Sequence, residues 1–325
     1  PILFLPGDTY ANRMPDPVLQ QVEHFNNPGI TQNDAFKPVT KYFDRITRPE
    51  QILQTLPQAI QTMLDPADCG PACLSLSQDV QGETYEYPEE FFKERVHNIR
   101  RPRPDDFQIK QAAEQIKKSK NPLLISGGGV FYSDAMEDLS NFAIKHNIPV
   151  TQTVMGYSTM KRDHSHFLGP IGGLGGKAAN NLAKQTDLAI AVGTKLADFT
   201  TGSWANFENP DFSLVSVNVS RFDASKHLAQ SVIGDAKVSL QELSNALGDW
   251  KAPDEWHKKS RDELKNWNDY VDKESGPTNQ ELPSYAHAVG AIYRNSDPTD
   301  IAVTAAGGLV GEVVQIWRPK ELNTH

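Results

Sequence analysis

At 325 residues the chain is longer than one ordinary core, and two or three domains are its natural division. Hydrophobic residues make up 38% and charged residues 22%, enough apolar material for packed cores and no composition of general disorder. A net charge of -9 repels nucleic acid and anionic membrane, and no run approaches the ~18 apolar residues of a membrane span, so a soluble cytoplasmic enzyme or binding protein is expected.

Pro1-Ile-Leu-Phe-Leu5 reads as a buried strand. It leads to Pro6-Gly-Asp-Thr9, a loop at the carboxyl end of a strand, where ligands usually sit in open parallel sheets. Asp8 is therefore a candidate site carboxylate, or else a turn residue bonding its own backbone. A helix is expected over 16–25, with Val18, Leu19, Val22 and Phe25 on one face. Lys41, in Pro38-Val-Thr-Lys41, could neutralise an anionic group at the same mouth or simply face solvent. Thr47-Arg-Pro-Glu50 has the form of a capping box with Pro49 in the first turn. The helix it opens carries Ile52, Leu53, Leu56, Ile60, Met63 and Leu64, and Pro57 should kink it. A strand over 72–76 and a polar exit over 78–88 complete half of an α/β domain, residues 1–88. Cys69 and Cys73 lack the partners of a zinc site and read as buried free thiols. Residues 89–105 form a linker, and its cluster Arg100-Arg-Pro-Arg-Pro104 reads as solvated extended chain.

Residues 106–250 read as a central Rossmann-like domain. A helix over 106–118 buries Ile109, Ala112, Ala113 and Ile116. Leu123 to Ile125 then breaks into Gly127-Gly-Gly129, and a helix-like segment starts near Ser133, the strand, turn and helix order of a βαβ unit. Strands over 148–154, 187–193 and 213–219 follow, with helices near 177–185 and 236–247. The two glycine clusters, 127–129 and 169–176, let a backbone approach a ligand closely, but neither has the Gly-x-Gly-x-x-Gly spacing, and tight turns explain them as well. His164 and His166 are two ligands at i, i+2 with no suitable third adjacent, and read as surface-loop histidines. There is no Gly-x-Ser-x-Gly, no His-Glu-x-x-His and no Walker loop.

Residues 251–284 change to charged residues around spaced aromatics. Trp256, Ser260, Leu264, Trp267 and Val271 share one helical face, that of an amphipathic connector packing across domains. A helix over 282–294 and a strand over 301–304 then begin a third α/β unit, 285–325, at Ala305-Ala-Gly-Gly308. Strand runs close to both ends imply open sheet edges, and the chain reads as an internal fragment of a longer protein.

Several stretches together resemble thiamine-diphosphate enzymes of the acetolactate synthase group. In the central domain these are Leu-Leu-Ile-Ser-Gly-Gly-Gly-Val at 123–130, Ile-Pro-Val-Thr-Gln-Thr-Val-Met-Gly at 148–156, the glycine loop before Lys177, and Asp187-Leu-Ala-Ile-Ala-Val-Gly193. Residues 1–88 resemble the second half of the group's pyrimidine-binding domain, and 285–325 the opening of its diphosphate-binding domain. Phe4-Leu-Pro-Gly-Asp-Thr-Tyr-Ala-Asn-Arg13, the run over 15–25 and Asn33-Asp-Ala-Phe-Lys-Pro-Val39 resemble a ring-opening member of the group.

The resemblance implies a parallel-sheet α/β fold in which partial cofactor-binding domains flank the Rossmann-like one. It implies thiamine diphosphate and Mg²⁺ as cofactors, a cyclic dione as substrate, and a homo-oligomer, dimer or tetramer, as the assembly. It places Asp8 and Gln20 on the substrate side with Lys41 near them, and Gly307 and Gly308 at the turn facing the diphosphate. The group's activating glutamate and its Gly-Asp-Gly metal motif have no counterpart here, so no catalytic residue or metal ligand is assigned. Some relatives hold FAD in the middle domain, here at Gly127 to Gly129 and around Met155-Gly156, though the ring-opening member is not expected to need it. A carboligase acting on 2-oxo acids and a non-catalytic nucleotide-binding module are the alternatives.

Overall fold

The computed structural model describes residues 2–15, 24–318 and 321–322. The chain divides at Arg100 into two units, residues 1–100 and 101–325. The expected helix over 16–25 falls almost wholly outside the described residues.

In the first unit the expected opening strand is two short pieces, β1 (Leu3–Phe4) and β2 (Gly7–Asp8). Pro6, which has no N–H to give, separates them. Both run parallel to β4 (Ala72–Ser77) in one continuous register, Leu3 opposite Ala72 and Asp8 opposite Ser77. β3 (Tyr42–Ile46), a strand the sequence reading passed over, pairs with Ala72 to Leu76. Since these β4 residues are already bonded to β1 and β2, β3 occupies the other edge. The helix α1 (Ile52–Leu64) runs unbroken through Pro57 and covers the sheet, with Ala59, Ala72 and Leu74 in the core and Ile52, Leu56 and Met63 around them. Its start departs from the capping box expected. Gln51, one residue beyond Glu50, reaches back to the backbone N–H groups of Thr47 (2.6 Å) and Arg48 (2.9 Å). Cys73 is buried, whereas Cys69 is exposed, which corrects the expectation that both thiols are covered.

The second unit is built on a six-stranded, wholly parallel sheet. In chain order its elements begin with α2 (Asp106–Lys118), β5 (Pro122–Ser126), α3 (Gly128–Tyr132), α4 (Met136–His146), β6 (Val150–Gln152) and β7 (Phe167–Pro170). They continue with α5 (Lys177–Ala183), β8 (Leu188–Val192), α6 (Asp198–Thr201), β9 (Ser213–Asn218), α7 (Arg221–Ala224), β10 (Gln230–Ile233) and α8 (Ala236–Leu247). The strand order β10-β9-β8-β5-β6-β7 is that of a doubly wound Rossmann fold, with its switch point between β5 and β8. Helices on both faces explain why β5 and β8 are buried at every position and read as continuous apolar runs. β7 and β10 were not expected. Each is four residues long, and β7 contains a glycine and a proline that read as loop.

The arginines of the linker are anchored. Arg101 pairs with Asp235 (3.2 Å) and Arg103 with Glu242, while the Pro102 carbonyl accepts from Asp235 N. Residues 101–105 thus belong to the second unit and are not free chain. The helix α9 (Asp254–Glu274) buries Trp256, Ser260, Leu264 and Val271, the face expected. It packs on α5 and β7 within this unit. Trp256 Nε1 donates to the Pro122 carbonyl at 2.8 Å. Val271 continues the packing into a small second core with α10 (Tyr285–Arg294) and α11 (Gly308–Ile316). The strand expected over 301–304 does not form, because no described strand lies beside it to supply a ladder; Ile301 and Val303 stay exposed.

Candidate functional site

Parallel strands place their carboxyl ends on one rim, and in the first unit that rim carries Asp8. The carboxylate is buried, 2% exposed, and fully engaged. Oδ1 accepts the Thr9 N–H (2.8 Å), and Oδ2 accepts Arg45 Nε (2.7 Å) and the Ser75 hydroxyl. Asn33 Nδ2 donates to Ser75 Oγ and to the Gly7 carbonyl, both at 2.8 Å. The Arg45 guanidinium also reaches Thr31 Oγ1 (2.8 Å) and Asp34 (2.6 Å), and Lys37 pairs with the same Asp34 at 2.5 Å. Two carboxylates and two cations make the cluster neutral.

Burial alone would raise the Asp8 pKa. The hydrogen bonds from Ser75, Arg45, Thr31 and Thr9 outweigh it, and the group titrates below the ordinary carboxylate range. Asp34 is held lower still: burial is offset there by Lys37, the Thr31 N–H and Arg45. Cys73 lies beneath the cluster, and burial with the nearby Asp8 charge raises its thiol. Asp8 is therefore ionised, fixed and shut off from solvent, a residue that orders the rim. The groups of the cluster that face outward are those on Arg45 and Lys37.

Lys41 is not at this rim. It precedes β3 and accompanies the Ala72 end of β4, while Asp8 lies opposite Ser77 at the other end. Five residues of parallel strand, roughly 16 Å, separate the two ends. Lys41 is half-exposed and pairs loosely with Asp68 (3.5 Å). Gln20 lies outside the described residues. Arg45, Asn33 and Ser75 were missed. The β-prone residues Tyr42, Phe43 and Ile46 were the available signal, since a strand there puts Arg45 on the Asp8 rim.

At the switch point of the second sheet the glycines serve packing. Gly127 N–H donates to the Val192 carbonyl and Gly129 N–H to that of Gly193, both at 2.9 Å. A Cβ on Gly127 would sit 2.3 Å from Gly193 O, and one on Gly129 2.6 Å from Gly193 Cα. Two of the three glycine amides that could cradle a pyrophosphate are thus spent on backbone carbonyls. Gly307 has φ +129°, open to glycine, and Gly308 opens α11; both are exposed with free space around them.

The histidines expected on a surface loop are instead packed. His166 is buried and His257 of α9 stacks on it. Among the described residues no group of three His, Cys, Asp or Glu is placed to hold a metal ion, and no helix is long and apolar enough to cross a membrane.

A doubly wound parallel sheet with α9 packed along it fixes the fold and leaves the chemistry to the sequence. Residues 109–243 match the family described as "Thiamine pyrophosphate enzyme, central domain". Over those residues the chain carries the central domain of a thiamine pyrophosphate enzyme. Among its relatives are proteins named 3D-(3,5/4)-trihydroxycyclohexane-1,2-dione hydrolase. That of Clostridium perfringens (strain 13 / Type A) is 42% identical over 98% of this chain and 53% of its own length. Those of Clostridium tetani and Geobacillus thermodenitrificans are 42% and 39% identical over the whole of this chain and 54% of theirs. The chain thus spans about half the length of the relatives it matches.

Proposed function

We propose that the protein to which these residues belong is a thiamine-diphosphate- and Mg²⁺-dependent hydrolase. It would cleave a ring C–C bond of trihydroxycyclohexane-1,2-dione and release 5-deoxy-glucuronate, a step of myo-inositol breakdown. The observation that carries this is the 42% identity to hydrolases of that name, sustained over 98% of the chain. A match confined to the central domain would support the cofactor class alone; this one also runs through the Asp8 rim and the Gly307-Gly308 turn. We assign residues 1–88 to a pyrimidine-binding half-domain, 89–105 to a linker, 106–250 to the central domain, 251–284 to a connector and 285–325 to a diphosphate-binding opening. In this reading the protein is a cytoplasmic homo-oligomer.

Within it, Asp8 orders the substrate side through Arg45, Gln20 lies on that side, and the Gly307-Gly308 turn approaches the diphosphate. Lys41, at the far end of β3, would have to act elsewhere. The residues present do not fit the metal and diphosphate by themselves: the sequence has no Gly-Asp-Gly, and no three described ligands converge. The 325 residues alone are therefore expected to bind the cofactor weakly and show no turnover.

The test has two arms. Calorimetry of the chain with thiamine diphosphate and Mg²⁺ should show no micromolar binding, and tight binding would overturn that expectation. The whole protein, given the cyclic dione with both cofactors, should release an open-chain acid. Condensation of 2-oxo acids with no release of that acid would make it a carboligase, and a flavin spectrum on the purified protein without turnover would favour a nucleotide-binding module.

A further inference from the structure

The loop before β7 and the first turns of α9 meet through three imidazoles that the proposed chemistry does not use. His166 is 7% exposed, and the His257 ring stacks on it with centroids 4.2 Å apart and planes 25° apart. The His164 ring lies 5.8 Å from that of His166. Neutral partners hold all three: His166 meets Asn147 Oδ1 (3.3 Å) and Ser165 Oγ (2.9 Å), His164 meets Ser140 Oγ (2.8 Å), and His257 meets the Ser165 carbonyl (3.0 Å).

The charges nearby do not compensate a proton on His166. Arg261, one turn beyond His257 on α9, donates to the Phe167 carbonyl (3.2 Å) and adds positive charge. Asp254 on α9 is bonded to the Asn147 amide (3.0 Å), and Asp163 on the loop acts on His164. Lys161 and Arg162 of the loop turn to Glu321 and Tyr293, and Lys145 at the end of α4 turns to Ser244. Among the described residues no carboxylate is paired with any of the three rings.

We propose that the His166–His257 stack is an acid-released latch: neutral, it holds the first turns of α9 against the loop before β7, and protonated on both rings it lets them go. Two like charges about 4 Å apart, one of them buried and acted on by the Arg261 guanidinium, repel strongly. Burial, then His257, His164 and Arg261, hold His166 down to about 4. The contribution of a histidine lowered in this way is complete above the ordinary imidazole range near 6.5 and is lost as pH falls from there toward about 4. The consequence reaches further than the loop. α9 also carries Val271, which packs with Val289 of α10 and with Val313 and Ile316 of α11, so release would loosen one side of that small core.

Hydrogen exchange of peptides covering 254–264, corrected for intrinsic chemistry, tests this on the full chain. Exchange should be about tenfold or more faster near pH 4.5 than near pH 7.5, while β8 and β9 keep their protection. In His257→Phe, which keeps a ring in the stack but removes one proton site, the release should move down by about one pH unit. Nitrogen-15 imidazole spectra of the unaltered protein give a second readout independent of any variant. His166 should remain neutral below pH 5 and take its proton together with the loss of α9 protection. Ordinary titration of His166 near 6.5, unchanged α9 exchange at low pH, or an identical midpoint in His257→Phe would each overturn the proposal.

Discussion

Replacing Arg45 by Met keeps the aliphatic stem and deletes the guanidinium that joins Asp8 to Asp34. Asp8 would stay buried with the Ser75 hydroxyl and the Thr9 N–H as donors. Asp34 would keep Lys37 and the Thr31 N–H. Removing one partner of a buried ion pair costs about 3–5 kcal/mol. The Arg45 side chain is 22% exposed and both carboxylates retain other partners, so about 2–3 kcal/mol is expected for the first unit. Tryptophan emission would not report it, because Trp204, Trp250, Trp256, Trp267 and Trp317 all lie in the second unit. Hydrogen exchange of the β3 and β4 peptides does, and the cost corresponds to roughly 30- to 150-fold faster exchange near neutral pH. Asp8 and Asp34 both titrate below the usual carboxylate range, so their contribution is present above about pH 4 and lost as pH falls below it. With Arg45 gone that acid loss should shrink. Exchange in Arg45→Met within about threefold of the parent at neutral pH would refute the reasoning.

Gly127→Ala should destabilise the second unit by about 3 kcal/mol or more in urea denaturation, because its Cβ meets backbone at 2.3 Å that cannot move aside. Gly82→Ala, with nothing within 4 Å, should be neutral or slightly stabilising in the same assay. Gly70→Ala would meet Lys41 Cγ at 2.2 Å and Cβ at 3.0 Å, the root of that side chain, and should cost about 1–3 kcal/mol. Trp256→Phe removes the bond to the Pro122 carbonyl from a buried site and should lower the urea midpoint by the equivalent of about 1–3 kcal/mol. Thiol titration with an aromatic disulfide should find one reactive cysteine, Cys69, in the native protein and both in denaturant, since Cys73 is buried with a raised pKa.

The doubly wound sheet was legible where burial on both faces leaves long apolar runs, as at 123–125 and 188–192. β7 was not, because Phe167-Leu-Gly-Pro170 carries two residues that local propensity assigns to turns; its pairing with β6 and its cover from α9 make it a strand. The 301–304 run shows the converse. It has strand composition, yet a strand exists only beside another strand, and composition cannot say whether one is there. The place of Asp8 at a strand end was legible because it is a local property. Lys41 was misplaced because the direction of β3 relative to β2 is a property of the sheet, and β3 itself had gone unseen.

Arg45 decides how the candidate site should be read. Had Asp8 been the free carboxylate that its loop position suggested, it could have met a substrate directly. With its side chain fully buried, its effect reaches a ligand through Arg45, Ser75 or the backbone of Thr9. The same logic holds at the central glycines, whose amides are closed by Gly193 and Val192 and whose conservation of space is a packing requirement. What remains open to chemistry is the outward face of the Arg45 and Lys37 cluster in one unit and the uncrowded Gly307-Gly308 turn in the other. A substitution at Asp8 should therefore act as a positioning defect that an intact Arg45 partly masks through Asp34, and Asp8→Asn should be milder than Arg45→Met in the same exchange assay.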